Sequence, residues 1–283
     1  MTDELEHTEV ENGDRRAVFV STSDGWRPDW FYLGERPMLR FKDHEWLSIG
    51  HVHPQFALED ERLEDGGVRF RSTSYYGDAK VRWSVRVSPD ARGAGFVIEC
   101  SITPEQSVEL LEAYSTFETP YDYGGSEHVT TVIGQNPVAC WEGSSRVTPP
   151  GWRHPAWCYS RDEAARNTGP CNTPLLCHVV WEPGGEPDRC TTIIGDWNVC
   201  HVRDVYVTPT RWIGDTAPGG PKRRGYKFIV GALNWSSSSV KDPNVMYRDG
   251  ETHRQRVILD FAGEVPGGSL DRMLLAAWER AAA

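Results

Sequence analysis

The chain has 283 residues, 39 % of them hydrophobic, and sets 30 Lys and Arg against 41 Asp and Glu for a formal charge of −11. This composition excludes a disordered or collagen-like chain, and no run approaches the roughly 20 apolar residues of a membrane-spanning helix, in keeping with a mean hydropathy of −0.53. A basic footprint for nucleic acid is also missing, so neither nucleic acid nor membrane is an expected partner, and the unusual figure is twelve Trp beside ten Tyr and nine Phe.

Residues 1–14 hold Asp3, Glu4, Glu6, Glu9, Glu11 and Asp14 with no Lys or Arg. They read as an acidic, frayed tail ahead of one large domain over 15–264. No basic region followed by an apolar stretch reads as a secretory signal, so a cytoplasmic protein with reduced thiols is expected. Period-two alternation predicts half-buried antiparallel strands near Arg16–Thr22, Met38–Phe41, Glu45–Gly50 and Gly67–Tyr75. Between the first two lies a dense patch, Trp26, Arg27, Pro28, Asp29, Trp30, Phe31 and Tyr32, whose flat rings and charged edges suit either a core or a ligand-facing surface.

His51 and His53 stand at i and i+2, the spacing that puts two imidazoles on one side of a strand, and Glu59 and Gly66 follow. This resembles the His-x-His, Glu, Gly metal motif of cupins and implies, as one reading, a metal-dependent enzyme. The sequence departs from that motif in the five residues between His53 and Glu59, in Gly50 being adjacent to the first His, and in lacking a Gly-rich segment that supplies a third His. Pro54 fits a strand end better than a barrel interior. No metal ligands and no cofactor are therefore assigned.

Alternation is clearest where Val81, Trp83, Val85 and Val87 interleave with Arg82, Ser84 and Arg86, and where Phe96, Ile98, Cys100 and Ile102 mark Cys100 as a small buried hydrophobe. Further strands are expected near Val108–Phe117, His128–Gly134, Leu176–Glu182, Thr191–Trp197 and Val202–Val207, and where Tyr226, Phe228 and Val230, then Val257, Leu259 and Phe261, alternate. Turn punctuation such as Asp65-Gly66-Gly67, Ser88-Pro89-Asp90 and Pro183-Gly184-Gly185 separates them. A dozen or so strands with almost no helix between them predict an all-β protein, a large antiparallel β-sandwich. Lys222-Arg223-Arg224, after a Pro-Gly-Gly-Pro run, reads as a solvated loop. After the linker Val265-Pro266-Gly267-Gly268, Ser269 caps an amphipathic C-terminal helix with Leu270, Met273, Leu274, Ala277 and Trp278 on one face. Residues 265–283 thus form a linker and a helix whose stripe calls for a surface, whether the sandwich, a helical partner domain or a homo-oligomer.

From Cys140 to Pro174 the alternation stops and five prolines intervene. Irregular segments this long are usually functional in compact domains, and this one carries Trp141, Trp152, Trp157 and Tyr159. Such rings offer flat surfaces to the C–H faces of sugars, while Arg146, Arg153 and His154 in the same stretch suit hydroxyls or an acidic group. Glycoside hydrolysis uses an acid paired with a base or nucleophile. The least bland carboxylates are Glu142, beside Trp141, and Asp196, in Gly195-Asp196-Trp197-Asn198 at a strand end. Glu142, Asp196 and His154 are the candidate proton-transfer groups. A GxSxG elbow, a phosphate loop and a GxGxxG turn are all absent, which removes the common nucleophilic and nucleotide chemistries. Six of the seven Cys crowd between Cys140 and Cys200, with Cys177-His178 and Cys200-His201 repeating a pair, but the spacing matches no common zinc site.

The runs VRWSVRVSPD, GFVIECSITPEQSVELLEAYSTFETP, YKFIVGALN and QRVILDF together resemble the galactose-mutarotase-like β-supersandwich domains of carbohydrate-active enzymes, over roughly residues 15–262. The resemblance implies a carbohydrate ligand, and the Gly-Pro linker plus helix is similar to the junction at which such domains meet a helical toroid in hydrolases and lyases. Mutarotases use two His and a Glu, and no positions here share their context, so that activity is not carried over. Three readings result: a carbohydrate-binding or carbohydrate-processing protein using the aromatic loop, a noncatalytic structural module of a larger carbohydrate-active enzyme, and the cupin-like enzyme. If it is catalytic, the first reading implies glycoside hydrolase or polysaccharide lyase-like chemistry.

Overall fold

Successive side chains of an extended chain face opposite sides. Val81, Trp83, Val85 and Val87 accordingly lie buried on one side of their strand, while Arg82 is exposed on the other. The computed structural model describes residues 6–50, 52–110, 112–118, 129–134, 157–159, 175–181, 187–195, 205–213, 224–233 and 245–262. Within them the strands are β1 (His7–Asn12), β2 (Arg15–Thr22), β3 (Gly25–Leu33), β4 (Arg36–Phe41), β5 (Ser48–Ile49), β6 (Glu59–Arg62), β7 (Val68–Tyr76), β8 (Ala79–Pro89), β9 (Phe96–Pro104) and β10 (Val108–Leu110). There follow β11 (Glu112–Glu118), β12 (Val129–Gly134), β13 (Trp157–Tyr159), β14 (Leu175–Trp181), β15 (Pro187–Gly195), β16 (Val205–Ile213), β17 (Arg224–Leu233), β18 (Val245–Tyr247) and β19 (His253–Ala262).

One sheet runs β1-β2-β3-β4-β11-β17-β16, with β5 also against β11; the second runs β13-β12-β14-β15-β19-β9-β8-β7-β6; β10 and β18 form a short ribbon. Every pairing is antiparallel. The inner faces meet over one apolar core, to which the first sheet gives Phe19, Phe31, Phe41 and Phe117 and the second gives Phe70, Trp83, Phe96 and Phe261. Trp46 enters from the loop after β4 and is fully buried. Its ring lies 4.5 Å from Phe70 and stacks on Phe19 at 5.7 Å. This is the all-β sandwich that the alternation predicts.

A polar pin crosses the core. Cys100 on β9 and Ser115 on β11 approach to 3.2 Å, and Gln255 on β19 donates to the same hydroxyl at 3.1 Å. Burial pushes the Cys100 thiol up, so it stays protonated. At the rim the sheets are clasped by side chains donating to backbone carbonyls: Arg15 to Phe261 at 2.8 Å, Arg62 to Glu9 at 2.6 Å and Asn12 to Gly95 at 2.7 Å.

Three local readings change, and a fourth segment gains its element. Residues 7–12, inside the segment read as a frayed tail, form β1, because Thr8 and Val10 reach the interior while Glu9 and Glu11 face away from it. The aromatic patch Trp26–Tyr32 is strand β3. The strand expected over Glu45–Gly50 shrinks to Ser48–Ile49, since a 3₁₀ turn at Lys42–His44 precedes it and Gly50, at φ 51°, ends it. The single strand expected over Val108–Phe117 is two, β10 joining β18 and β11 joining the first sheet. The linker and C-terminal helix of 265–283 lie outside the described residues. Among the described residues no helix is long and apolar enough to cross a membrane.

Candidate functional site

Antiparallel register puts directly opposed residues on one face of a sheet. Trp30 on β3 opposes Arg40 on β4, and Arg40 opposes Glu118 at the end of β11. Lys227 on β17 and Thr210 on β16 hold the next two register positions. Trp30, Arg40 and Glu118 therefore form a row across three strands of the first sheet, on the face turned away from Phe41 and Phe117. Alternation accounts for the direction: Phe41 and Phe117 are committed to the core, so their neighbours Arg40 and Glu118 must face the other way.

The centre of the row is buried. Glu118 is 1 % exposed and Arg40 12 %. The arginine donates from Nε to Glu118 Oε1 at 2.6 Å and pairs with the same oxygen through Nη2 at 2.5 Å. Its plane lies over the Trp30 ring, with Cζ 4.8 Å from the centroid. Its remaining nitrogen, Nη1, lies 2.8 Å from His44 Nε2. An arginine can only donate, so Nε2 must accept, and the ring proton sits on Nδ1, which donates to the Pro28 carbonyl at 2.9 Å. Asp29 Oδ1 is 3.6 Å from that nitrogen, and His44 and Asp29 form the more open rim, at 25 % and 28 % side-chain exposure.

The turn that delivers His44 is strained. Asp43 and His44 both adopt left-handed backbone, at φ 54° and 59°, a conformation that costs a non-glycine residue free energy. Surrounding contacts hold it: the Asp43 N–H donates to Glu118 Oε1 at 3.3 Å, and two residues on, Trp46 is locked in the core with its indole N–H on the Trp26 carbonyl at 3.0 Å. Gly25, at φ 126°, lets the Ala57 carbonyl pass where a Cβ would come within 2.5 Å of it, which ties the far end of the same loop to β3. Consecutive left-handed residues around a buried ion pair are the kind of strain that clusters at binding sites.

Burial pushes the His44 imidazole below the ordinary 6.5, and the cations Arg40 and Arg27 add to this against the opposing pull of the Pro28 carbonyl and Asp29. At neutral pH His44 is an uncharged ring with a fixed tautomer. The assembly thus offers a partly open Trp face, a carboxylate at Asp29, a guanidinium held in place from behind and a neutral imidazole, the mixture of flat surface and hydrogen-bonding edge that suits hydroxyl-rich ligands.

Of the residues singled out from the sequence, Asp29 and Trp30 of the aromatic patch belong to this cluster. Trp157 and Tyr159 occupy the edge strand β13, opposite Val132 and Thr130 of β12. Trp141, Glu142, Arg146, Trp152, Arg153, His154 and Asp196 lie outside the described residues, as does His51. His53 pairs with Glu45 at 3.0 Å and Glu59 with Arg71 at 3.5 Å, so these two side chains of the cupin-like motif have separate partners. Among the described residues no group of three His, Cys, Asp or Glu is arranged to hold a metal ion. Arg40, His44 and Glu118 escaped the sequence reading. The one available signal was a charged residue placed next to a core Phe on each of two strands.

No protein-family model matches the sequence, and no curated protein matches it. Solved structures do match the fold over nearly its whole length. A galactose mutarotase related enzyme from Lactobacillus acidophilus aligns with a TM-score of 0.57 at 9 % identity, covering 92 % of this chain and 99 % of that one. A galactose mutarotase-like protein from Lactobacillus casei aligns at 0.53 and 11 % identity, covering 91 % and 100 %. A galactose mutarotase/aldose epimerase homologue from C. elegans also aligns at 0.53 and 11 %, covering 93 % and 100 %. The chain has the galactose-mutarotase-like β-sandwich fold.

Proposed function

We propose that this protein binds or processes a carbohydrate. The observation that carries the reading is the end-to-end fold match to structures named as galactose mutarotase-like and aldose epimerase-like. The Trp30–Arg40–Glu118–His44 cluster adds a surface of suitable chemistry on that fold. In the full proposal the Cys140–Pro174 loop supplies further rings, with Trp141, Trp152, Trp157 and Tyr159 stacking on the sugar and Arg146 and Arg153 holding an acidic group. Glu142 and Asp196 would serve as acid and base, with His154 as proton donor or hydroxyl ligand, in glycoside hydrolase-like or lyase-like chemistry. The expected setting is the cytoplasm, where the C-terminal helix would dock on a helical partner domain or a second copy.

A panel of neutral and uronic mono- and oligosaccharides, titrated while Trp fluorescence is followed, tests this. Binding of at least one sugar is expected, with affinity reduced in Trp30→Ala and in the pair Trp152→Ala, Trp157→Ala. If no sugar perturbs the fluorescence and calorimetry detects no heat, the carbohydrate reading fails. If a sugar binds and only Trp30→Ala weakens it, the site is the β3–β4–β11 cluster and the loop is dismissed.

A further inference from the structure

The contact between Arg40 and His44 is conditional on charge. A guanidinium has no acceptor, so the 2.8 Å approach of its Nη1 to His44 Nε2 exists only while that nitrogen carries a lone pair. The other ring nitrogen is already committed to the Pro28 carbonyl, so the ring cannot answer a proton on Nε2 by switching tautomer without losing that bond. A proton on Nε2 sets N–H against N–H and cation against cation. The groups around His44 among the described residues are Arg40 from β4, Asp29 and Arg27 from β3 and, across the Asp43 N–H, Glu118 from β11. Glu118 is engaged by Arg40, and Asp29 lies 3.6 Å from Nδ1.

We propose that His44 is a proton-operated latch on the Lys42–His44 turn: neutral, it holds Arg40 from the side opposite Glu118, and protonated, it lets go and frees the turn. The strained backbone supplies the second state. Arg40, Glu118, the Pro28 carbonyl and Trp46 are among the holds that keep Asp43 and His44 left-handed, and losing the Arg40 hold favours relaxation toward ordinary φ. Release would break the Arg40 Nη1–His44 contact on the acid side. The latch does not depend on which ligand, if any, the cluster binds.

The test is long-range ¹⁵N–¹H NMR of the labelled full chain, titrated from slightly alkaline to mildly acidic pH, with amide protection of residues 42–44 and the Arg40 Nε–H signal followed in the same samples. His44 should show the Nδ1–H tautomer at alkaline pH and a midpoint below 6.5. Amide protection and the Arg40 signal should be lost across that midpoint. His44→Gln, whose uncharged amide offers one acceptor and one donor, should keep both throughout. An Nε2–H tautomer, a midpoint at or above 6.5, or equal loss of protection in His44→Gln would each overturn the latch. Should the variant not fold, the tautomer and midpoint of the unmodified chain decide alone.

Discussion

Arginine meets carboxylate across neighbouring strands on the outward faces of both sheets, in opposite surroundings. On the second sheet Arg71 reaches Glu59 and Glu61, Arg69 reaches Glu61, and Arg86 reaches Asp65 and Glu99, all with substantial exposure to water. On the first sheet Arg40 and Glu118 make the same pair almost out of solvent. The exposed ladder keeps its hydration and charges edge strand β6, whose open side is thereby made unattractive to a further strand. The buried pair gives up its hydration and regains part of that through its contacts with each other, Trp30, His44 and the Asp43 N–H. A fold seeking stability alone would do as well with two apolar residues there, so the pair points to a role in positioning.

The largest effect should come from cutting the buried pair on one side. Arg40→Ala or Glu118→Ala takes a close ionic partner from a charge in a nearly dry place and is expected to cost about 3–5 kcal/mol, read as a fall in the urea midpoint with the slope unchanged. The double substitution Arg40→Met, Glu118→Leu should recover most of that loss. If the single variants lose less than about 1 kcal/mol, the pair is solvated like those on the second sheet and the contrast collapses.

The two regions also differed in how readable they were. The strands Val81–Val87 and Phe96–Ile102 were plain in the sequence because each buries one face continuously, and period two survives intact. The buried pair was invisible because its members are 78 residues apart and meet only through the two-residue register between β4 and β11. Local pattern does not encode which strands become neighbours. The segment Glu45–Gly50 was misread for a related reason: Trp46, Leu47 and Ile49 are buried, as in a strand, but they are delivered by a turn whose left-handed Asp43 and His44 have no distinctive residue signature. The patch Trp26–Tyr32 stands out by composition, yet Trp26 and Phe31 pack on or in the core while Trp30 faces Arg40, a division decided by the register and by the bulge where Ala17–Phe19 of β2 meets Pro28–Phe31 of β3. The aromatic loop Cys140–Pro174 falls largely outside the described residues.

A smaller effect should follow pH at His44. Its folded-state pKa lies below the ordinary value, so the unfolded chain binds the proton more readily. Stability is then full above about 6.5 and declines as pH falls through the folded-state value. Guanidinium unfolding of the full chain at a series of pH values should show this slope, and His44→Gln should flatten it. A slope of the opposite sign would mean that a carboxylate partner outweighs burial at this ring.

The smallest effects belong to the exposed ladder, and they sharpen the contrast from its other side. Arg71→Ala should change stability by about 0.2–1 kcal/mol, the range of solvated pairs, and the difference should shrink as salt is added. Asp65 is the instructive member. Burial pushes its carboxyl up, but the Gly67 N–H at 3.1 Å, the close Arg86 guanidinium and the Ser88 hydroxyl outweigh this and hold it below 3.8. Its contribution is therefore present above about pH 3.8 and lost as pH falls through the lower folded-state value. With the side chain 45 % exposed, the charged part of that contribution is open to screening and the hydrogen bond to Gly67 is not. Asp65→Ala compared with the parent chain in acid unfolding, at low and at high salt, separates the two, because alanine removes both the charge and the acceptor of the Gly67 N–H. Most of the difference should vanish in salt if Arg86 dominates, and most should persist if the Asp65-Gly66-Gly67 turn does. Applied to Glu118, the same salt series should leave the cost of Glu118→Ala unchanged, because ions cannot enter a pair that water has already left.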